Sequence, residues 1–158
     1  MTLGVQEMNS NSRTAVSADL GLGLVGPEHT IVPLMASLYY SCHDPYAVKM
    51  AFHVGTDEPV EWTLGRELLA AALHSREGVG DVQAWPSAAS ADPAVGGATA
   101  GQKTLNIAMT SPFGHAQFEV SAAAIEAFLA RTYQLIPDGQ ESAYLDFDAE
   151  LAELLSQA

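Results

Sequence analysis

The sequence is poor in cysteine and in basic residues, and each shortage excludes a class of protein. Cys42 is the only cysteine among 158 residues, so an intrachain disulfide and a cysteine-based metal cage are excluded. Lys and Arg number 6 against 19 Asp and Glu, which gives a formal net charge of −13. Sequence-independent nucleic-acid binding and docking on anionic lipid both need clustered cations, so neither is expected.

Long hydrophobic runs are also missing. The longest uncharged and fairly apolar stretch, residues 30–42, contains Pro33 and is too short to span a bilayer. Residues 1–12 hold no Lys, no Arg and no apolar block, so no signal peptide is expected. A lone cysteine favours a reducing compartment. We therefore expect a cytoplasmic protein with no direct membrane insertion.

The length and the hydrophobic content fit one globular domain. Hydrophobic residues make up 48% of the chain, and 158 residues can bury a core without a disulfide or a metal. Residues 1–13, which are rich in Asn and Ser, are interpreted as a flexible lead. Residues 14–158 are interpreted as a single domain.

Much of this domain alternates apolar and polar residues with period two, which predicts strands with one buried face. The predicted strands come in two runs, first over residues 14–24, 32–40, 46–54 and 60–62, then over 81–85, 104–110 and 115–120. Pro86 is expected to stop the strand at 81–85. Because the strands do not alternate regularly with helices, we expect an α+β protein.

Three helices are predicted. Thr63 can cap a helix that runs to about His74, and Ser121 can cap a second that runs to about Tyr133. The last helix is expected to begin at residue 146 or 148. Similar segments precede the first two helices, VEWT at 60–63 and FEVS at 118–121. Each half of the domain would then be an antiparallel meander of strands closed by a helix.

Motifs that usually carry chemistry fail here on their context. Residues 21–26 satisfy G-x-G-x-x-G, but a dinucleotide site needs a helix after the glycines, and Pro27 and a strand pattern follow. Cys42, His43 and Asp44 include a nucleophile, a base and a carboxylate, but consecutive residues usually diverge, so the segment is interpreted as a turn. We predict no catalytic residue and no cofactor. An enzyme is the least favoured alternative, and it depends on the glycine motif alone.

No metal site is predicted either. The five histidines show no His-x-His or His-x-x-x-His spacing. Residues 146–150 imitate the start of a calcium loop, but Leu151 stands where the turn glycine belongs and Gln157 where the bidentate glutamate belongs. The acidic tail from Asp138 onward is interpreted as a solvated face or as a docking surface for a basic partner.

Arg66 stands out because the chain has so few cations. It falls in the first turn of the predicted helix, where the helix dipole disfavours positive charge. Two interpretations stay open: a surface ion pair with Glu61 or Glu67, or a contact with a partner protein. Arg and Trp are enriched in binding hot spots, so the candidate partner-binding residues are Trp62, Arg66, Glu67 and Trp85.

A series of short segments, taken in order along the chain, is specific enough to identify a family. The segments include DPYAV at 44–48, FHVG at 52–55, VEW at 60–62, RELL at 66–69, GVGDV at 78–82 and WPS at 85–87. Together they resemble the SsgA-like proteins, which regulate sporulation and cell division in filamentous actinomycetes. The resemblance covers residues 14–156. It gives a structural role to the motif positions Asp44, Pro45, Tyr46, Val48 and Pro86.

The resemblance implies a non-enzymatic regulator or adaptor that acts at the division septum. The partners it implies are the tubulin-like division GTPase FtsZ or another SsgA-like protein that positions the recruiter of FtsZ. It also implies a homo-oligomer such as a trimer, and a fold related to the Whirly-type single-strand nucleic-acid binders. That relation supplies the alternative of a nucleic-acid-binding module, which the net charge of −13 opposes.

Overall fold

Eight antiparallel strands curl into a half-barrel sheet. The computed structural model describes residues 14–55, 58–88, 103–112, 114–144 and 154–156. The strands are β1 (Ala15–Val25), β2 (Ile31–Ser41), β3 (Asp44–His53), β4 (Val60–Gly65), β5 (Glu77–Val79), β6 (Val82–Ala88), β7 (Lys103–Ser111) and β8 (Gly114–Ser121). The α-helices are α1 (Arg66–Ala72) and α2 (Ala122–Leu135), and short 3-10 helices span Pro27–His29 and Glu141–Tyr144.

The strand order shows two meanders joined at their first and last strands. The order across the sheet is β4-β3-β2-β1-β8-β7-β6-β5. Strands β1 to β4 lead into α1, and strands β5 to β8 lead into α2. The meanders meet where Gly23 pairs with Glu119 and Leu24 with Phe118. The predictions of an α+β protein and of two meanders, each closed by a helix, are confirmed.

The core lies between the sheet and the two helices. The rings of Phe52 on β3 and Phe118 on β8 stack with their centroids 4.3 Å apart, so the curled sheet brings the two meanders into direct contact. Helix α2 packs against β1, β7 and β8. Its residues Ile125, Phe128 and Leu129 are at most 3% exposed, as the helical periodicity predicts.

The start of α1 differs from the prediction. Thr63 lies within β4 and does not cap a helix. The residue that precedes the helix is Gly65, which has extended backbone angles and makes no side-chain capping bond. The prediction for α2 is confirmed, because the hydroxyl of Ser121 accepts a hydrogen bond of 3.2 Å from the amide of Ala124.

The prediction that Pro86 stops a strand is wrong. Strand β6 continues through Pro86, which pairs with Leu105 on β7. Strand β5 pairs with β6 only as far as Ala84, so at Pro86 the strand has a partner on one side only. Proline lacks an amide donor and is tolerated where that donor would face away from the sheet.

The structure adds one unpredicted strand and agrees with the prediction that no helix of the dinucleotide-binding kind follows the glycine motif. The short strand β5 was not predicted, and its hairpin to β6 turns at Gly80, whose φ of 58° favours glycine. The G-x-G-x-x-G segment runs from β1 into a 3-10 helix and then β2, so no helix of the dinucleotide-binding kind follows it. The predicted lead at 1–13, the start of the last helix and residues 89–102 lie outside the described residues; residues 154–156 are helical.

Candidate partner-binding surface

Arg66, at the start of α1, joins the two halves of the molecule. Its side chain is 1% exposed. Its Nη1 donates to the backbone carbonyls of Thr132 at 3.2 Å and Ile136 at 2.7 Å, at the C-terminal end of α2. Its Nη2 donates to Oε2 of Glu141 at 2.7 Å. The last carbonyls of a helix carry the negative end of its dipole, so the buried cation stabilises this end of α2.

Two tyrosine rings enclose the guanidinium. The central carbon of Arg66 lies 4.9 Å from the ring centroid of Tyr40 and 4.2 Å from that of Tyr133. Burial raises the pKa of Tyr40 to about 12, and burial also raises the pKa of Tyr133. The hydrogen bond from Arg66 lowers the pKa of Glu141. Near neutral pH the cluster therefore holds one cation, one carboxylate and two neutral phenols.

This geometry corrects the interpretation of Arg66 as a surface residue. The ion pair expected with Glu61 or Glu67 is wrong, because Arg66 pairs with Glu141, 75 residues further along the chain. The buried guanidinium has almost no surface to offer a partner, so Arg66 contributes by fixing α1 against α2. No local pattern in the sequence links Arg66 to Glu141. The only signal was a rare cation at an unfavourable helix position.

An acidic groove of about 600 Å³ lies beside this cluster, between α1, β5 and the segment that follows α2. We call it the acidic groove; its carboxylates are Glu67, Glu77, Asp138 and Glu141. Tyr46 and Val79 also line it and are 49% and 69% exposed. The candidate residue Glu67 is therefore exposed on a concave surface that combines negative charge with accessible apolar area.

A second groove, of about 320 Å³, is mostly apolar and opens inside the curl of the sheet. We call it the apolar groove; its lining includes Phe52, Val54, Val60, Trp62, Met109 and Phe118. The candidate residue Trp62 is half-buried in it. Val54, the last residue of the strand predicted at 46–54, is 48% exposed, because β3 ends at His53 just before it.

The candidate residue Trp85 lies outside the lining of both grooves, on β6 in the second meander. The guanidinium of Arg76 lies 4.3 Å from its ring centroid. The side chain of Asn106 donates to the carbonyl of Trp85 at 3.2 Å and to the hydroxyl of Ser87 at 2.8 Å. These contacts hold this half-buried Trp in place near Pro86, which is also half-buried.

The motif residues at 44–48 divide between core and surface. Val48 is fully buried, and Pro45 is buried with its carbonyl accepting a 2.8 Å hydrogen bond from the hydroxyl of Tyr40. Asp44 and Tyr46 are exposed at the start of β3. The segment therefore connects the Arg66 cluster, through Tyr40, with the surface of the acidic groove, where Tyr46 lies.

Sequence reasoning missed a polar cluster on three neighbouring strands. The hydroxyl of Ser37 donates to Oδ1 of Asp19 at 2.7 Å and lies 2.8 Å from Nε2 of His53. If the hydroxyl donates to the carboxylate, the histidine must donate to the hydroxyl. A nucleophilic serine needs its proton directed toward a histidine base that a carboxylate orients, so this order of contacts does not form a catalytic triad.

The described ranges contain neither a cluster of metal ligands nor a membrane-spanning helix. No group of three or more His, Cys, Asp and Glu residues there could hold a metal ion. No helix in the same ranges has the length and apolar character required to cross a membrane.

The comparisons with known proteins agree with one another. The family described as the Streptomyces sporulation and cell division protein SsgA matches residues 34–141. Sporulation-specific cell division protein SsgB of Thermobifida fusca is 48% identical, with 93% of this chain and 99% of the relative covered. The protein of the same name from Streptomyces coelicolor is 41% identical, with 92% and 98% covered.

A solved structure matches as well. The crystal structure of an SsgA-like sporulation-specific cell division protein from Thermobifida fusca superposes with a TM-score of 0.76 and 47% identity, and 89% of this chain and 95% of that chain are covered. The fold and the relatives place the chain among the sporulation and cell-division proteins. It belongs to the SsgA family, which confirms the resemblance found in the sequence.

Proposed function

We propose that this protein is a non-enzymatic adaptor of sporulation-specific cell division, which acts through protein–protein contacts at the septum. The observation that carries this proposal is family membership over nearly the whole chain. The relatives with 48% and 41% identity are both named sporulation-specific cell division proteins. In this proposal the adaptor is cytoplasmic and forms a homo-oligomer, such as a trimer.

Two exposed surfaces support an adaptor role. The apolar groove and the acidic groove offer concave areas with accessible apolar side chains, the kind of feature that marks interaction sites. We propose that Trp62, Glu67 and Trp85 contact partners. Arg66 is a positioning residue, since it holds α1 and therefore the wall of the acidic groove.

The partner we propose is FtsZ or another SsgA-like protein. Co-sedimentation of the purified protein with GTP-assembled FtsZ filaments, at low and at moderate salt, tests direct recruitment. We expect saturable pelleting that Trp62→Ala and Glu67→Lys each weaken. The matched control is Glu126→Lys, a charge reversal at an exposed position of α2. A protein that stays in the supernatant at both salts contradicts direct recruitment and leaves the second SsgA-like protein as the partner to test.

Single-stranded nucleic acid is the alternative that the Whirly-type relation suggested. A net charge of −13 does not favour it, because a phosphate-binding groove needs a cationic lining. Retention on immobilised single-stranded DNA, measured against salt concentration, separates the two functions. Phosphate binding weakens steeply as salt rises.

A further inference from the structure

The two edges of the sheet differ in how well they are protected from pairing with another strand. At one edge, β5 has only three residues, and β6 beyond it carries Pro86. Short edge strands and prolines are common devices that prevent unwanted pairing. At the other edge, β4 has six residues, keeps an uninterrupted register with β3 and contains no proline and no lysine. Among the described residues, no strand pairs with its outer side.

The alternation of an antiparallel ladder shows which backbone groups of β4 point away from the sheet. The amide of Cys42 donates to Thr14, which places the even-numbered backbone groups of β2 toward β1. The odd-numbered groups of β2 therefore bond to β3. Because Ser37 pairs with Ala51, β3 uses its odd-numbered groups to bond to β2. The even-numbered groups of β3 are then left to bond to β4. Val60, Trp62 and Leu64 are their partners on β4. The amides and carbonyls of Glu61 and Thr63 consequently face outward.

The two grooves meet β4 at opposite ends. Val60 and Trp62, toward its start, line the apolar groove. Gly65, at its end, lines the acidic groove together with Glu67. The six residues between these ends span about 20 Å in an extended strand. One extended segment beside β4 can therefore reach both grooves.

From these observations we propose that the outer edge of β4 binds an extended segment of a basic partner protein, which adds a ninth strand to the sheet. Backbone bonds to Glu61 and Thr63 hold the segment, its apolar side chains enter the apolar groove and its Lys or Arg side chains face the carboxylates. This inference rests on the proposed adaptor function and specifies the chemistry of the partner.

The charges at this edge select a basic segment and disfavour a second copy of the chain. Glu58, Glu61 and Glu67 are exposed before, within and just after β4. Lys49 pairs with Thr63, so the cations of the partner would face Glu61 in preference to Thr63. Two copies that paired through β4 would bring these glutamates of one copy beside the same glutamates of the other, and like charges on paired strands are destabilising.

The first test uses a fluorescein-labelled peptide of alternating valine and lysine, about eight residues long so that it covers β4. We expect saturable binding by fluorescence anisotropy, with affinity reduced about tenfold in Thr63→Pro, which removes an outward amide. Thr63→Val is the matched control, because it keeps that amide. The proposal is overturned if folded Thr63→Pro and folded Thr63→Val bind the peptide with equal affinity. It is also overturned if the wild type shows no saturable binding of the peptide.

The second test works even if Thr63→Pro does not fold. Two peptides carry N-methyl groups at alternate residues, one at odd and one at even positions. One-sided pairing to β4 predicts that one of them binds the wild-type protein and the other does not. Equal binding of both overturns the proposal, and so does equal binding of a peptide with glutamate in place of lysine.

The oligomeric mass separates a partner protein from a second copy. We expect light scattering to give the same mass for wild type and Thr63→Pro. A lower mass in the variant assigns the edge to contacts between copies and overturns the proposal.

The peptide and filament experiments separate this inference from the proposed function. If the wild-type protein binds no peptide but still pellets with FtsZ filaments, this inference alone is refuted. Peptide binding without pelleting would leave this inference standing and contradict direct recruitment of FtsZ.

Discussion

Arg66 is buried between Tyr40 and Tyr133, in a position where an uncompensated charge would be costly. The sequence identified Arg66 as unusual, because it is a rare cation at the wrong end of a helix. It could not identify Glu141, Thr132 or Ile136 as its partners. Those contacts exist only because the sheet curls and brings α1 against the end of α2, and nothing in the residues around position 66 encodes that approach.

Replacing Arg66 with methionine should destabilise the protein strongly. The change leaves the carbonyl of Ile136 without its guanidinium donor and removes the cationic partner of Glu141. The carbonyl of Thr132 loses one donor and keeps the amide of Ile136. We expect the free energy of unfolding in urea to fall by roughly 3 kcal/mol. Arg131→Met is the control, since Arg131 is exposed and donates only to the carbonyl of Ser17 among its described contacts. A loss of equal size in both variants would contradict the special role of Arg66.

The Arg66–Glu141 bond should also make stability depend on acid. Because the bond lowers the pKa of Glu141 below its ordinary value of 4.5, the folded state binds this proton less readily than the unfolded state. The contribution is complete above pH 4.5 and is lost as the pH falls through the folded-state pKa. We expect Glu141→Gln to flatten this part of the pH dependence. In the Arg66→Met background the same change should have no such effect.

At the scale of elements, the period-two pattern predicted most strands because alternation is a local property of the chain. It failed where a neighbouring strand decides the outcome. Pro86 continues a strand because β5 ends before reaching it, and no property of residues 81–88 reports how far β5 extends. With only three residues, β5 is too short to show a period. The cap position of α1 is Gly65 and not Thr63 as predicted, because pairing with β3 extends β4 to Gly65.

The N-terminus of α2 offers a test at this scale. The hydroxyl of Ser121 satisfies the amide of Ala124, one of the donors that a helix leaves free at its start. Ser121→Ala should lower the free energy of unfolding by about 1 kcal/mol. Ser121→Asp should keep most of this stabilisation, because its carboxylate can accept the same hydrogen bond. Urea denaturation of the three proteins measures both values. An alanine variant as stable as the wild type would show that the cap contributes nothing.

At the scale of the whole molecule, the similar segments before the two helices predicted two meanders but not how they join. Strands β1 and β8 share only the pairs at Gly23 and Leu24, a register that no repeat in the sequence specifies. The stacked Phe52 and Phe118 add a second connection, and Arg66 adds a third. The apolar groove forms where the sheet curls, so its lining comes from strands far apart in sequence. Residue type was enough to propose Trp62 as a partner-binding residue, but it could not predict the groove in which Trp62 lies.

These connections predict that the two meanders unfold together. The chain has two Trp residues, Trp62 in the first meander and Trp85 in the second, so Trp85→Phe and Trp62→Phe each leave one local reporter. Within each variant, the urea midpoint from Trp fluorescence should coincide with that from far-ultraviolet circular dichroism, because a cooperative domain loses local and global structure together. Comparison within one variant removes the effect of the substitution on stability. A fluorescence midpoint well below the circular dichroism midpoint in one variant only would show that its meander unfolds first and that the three connections do not couple the halves.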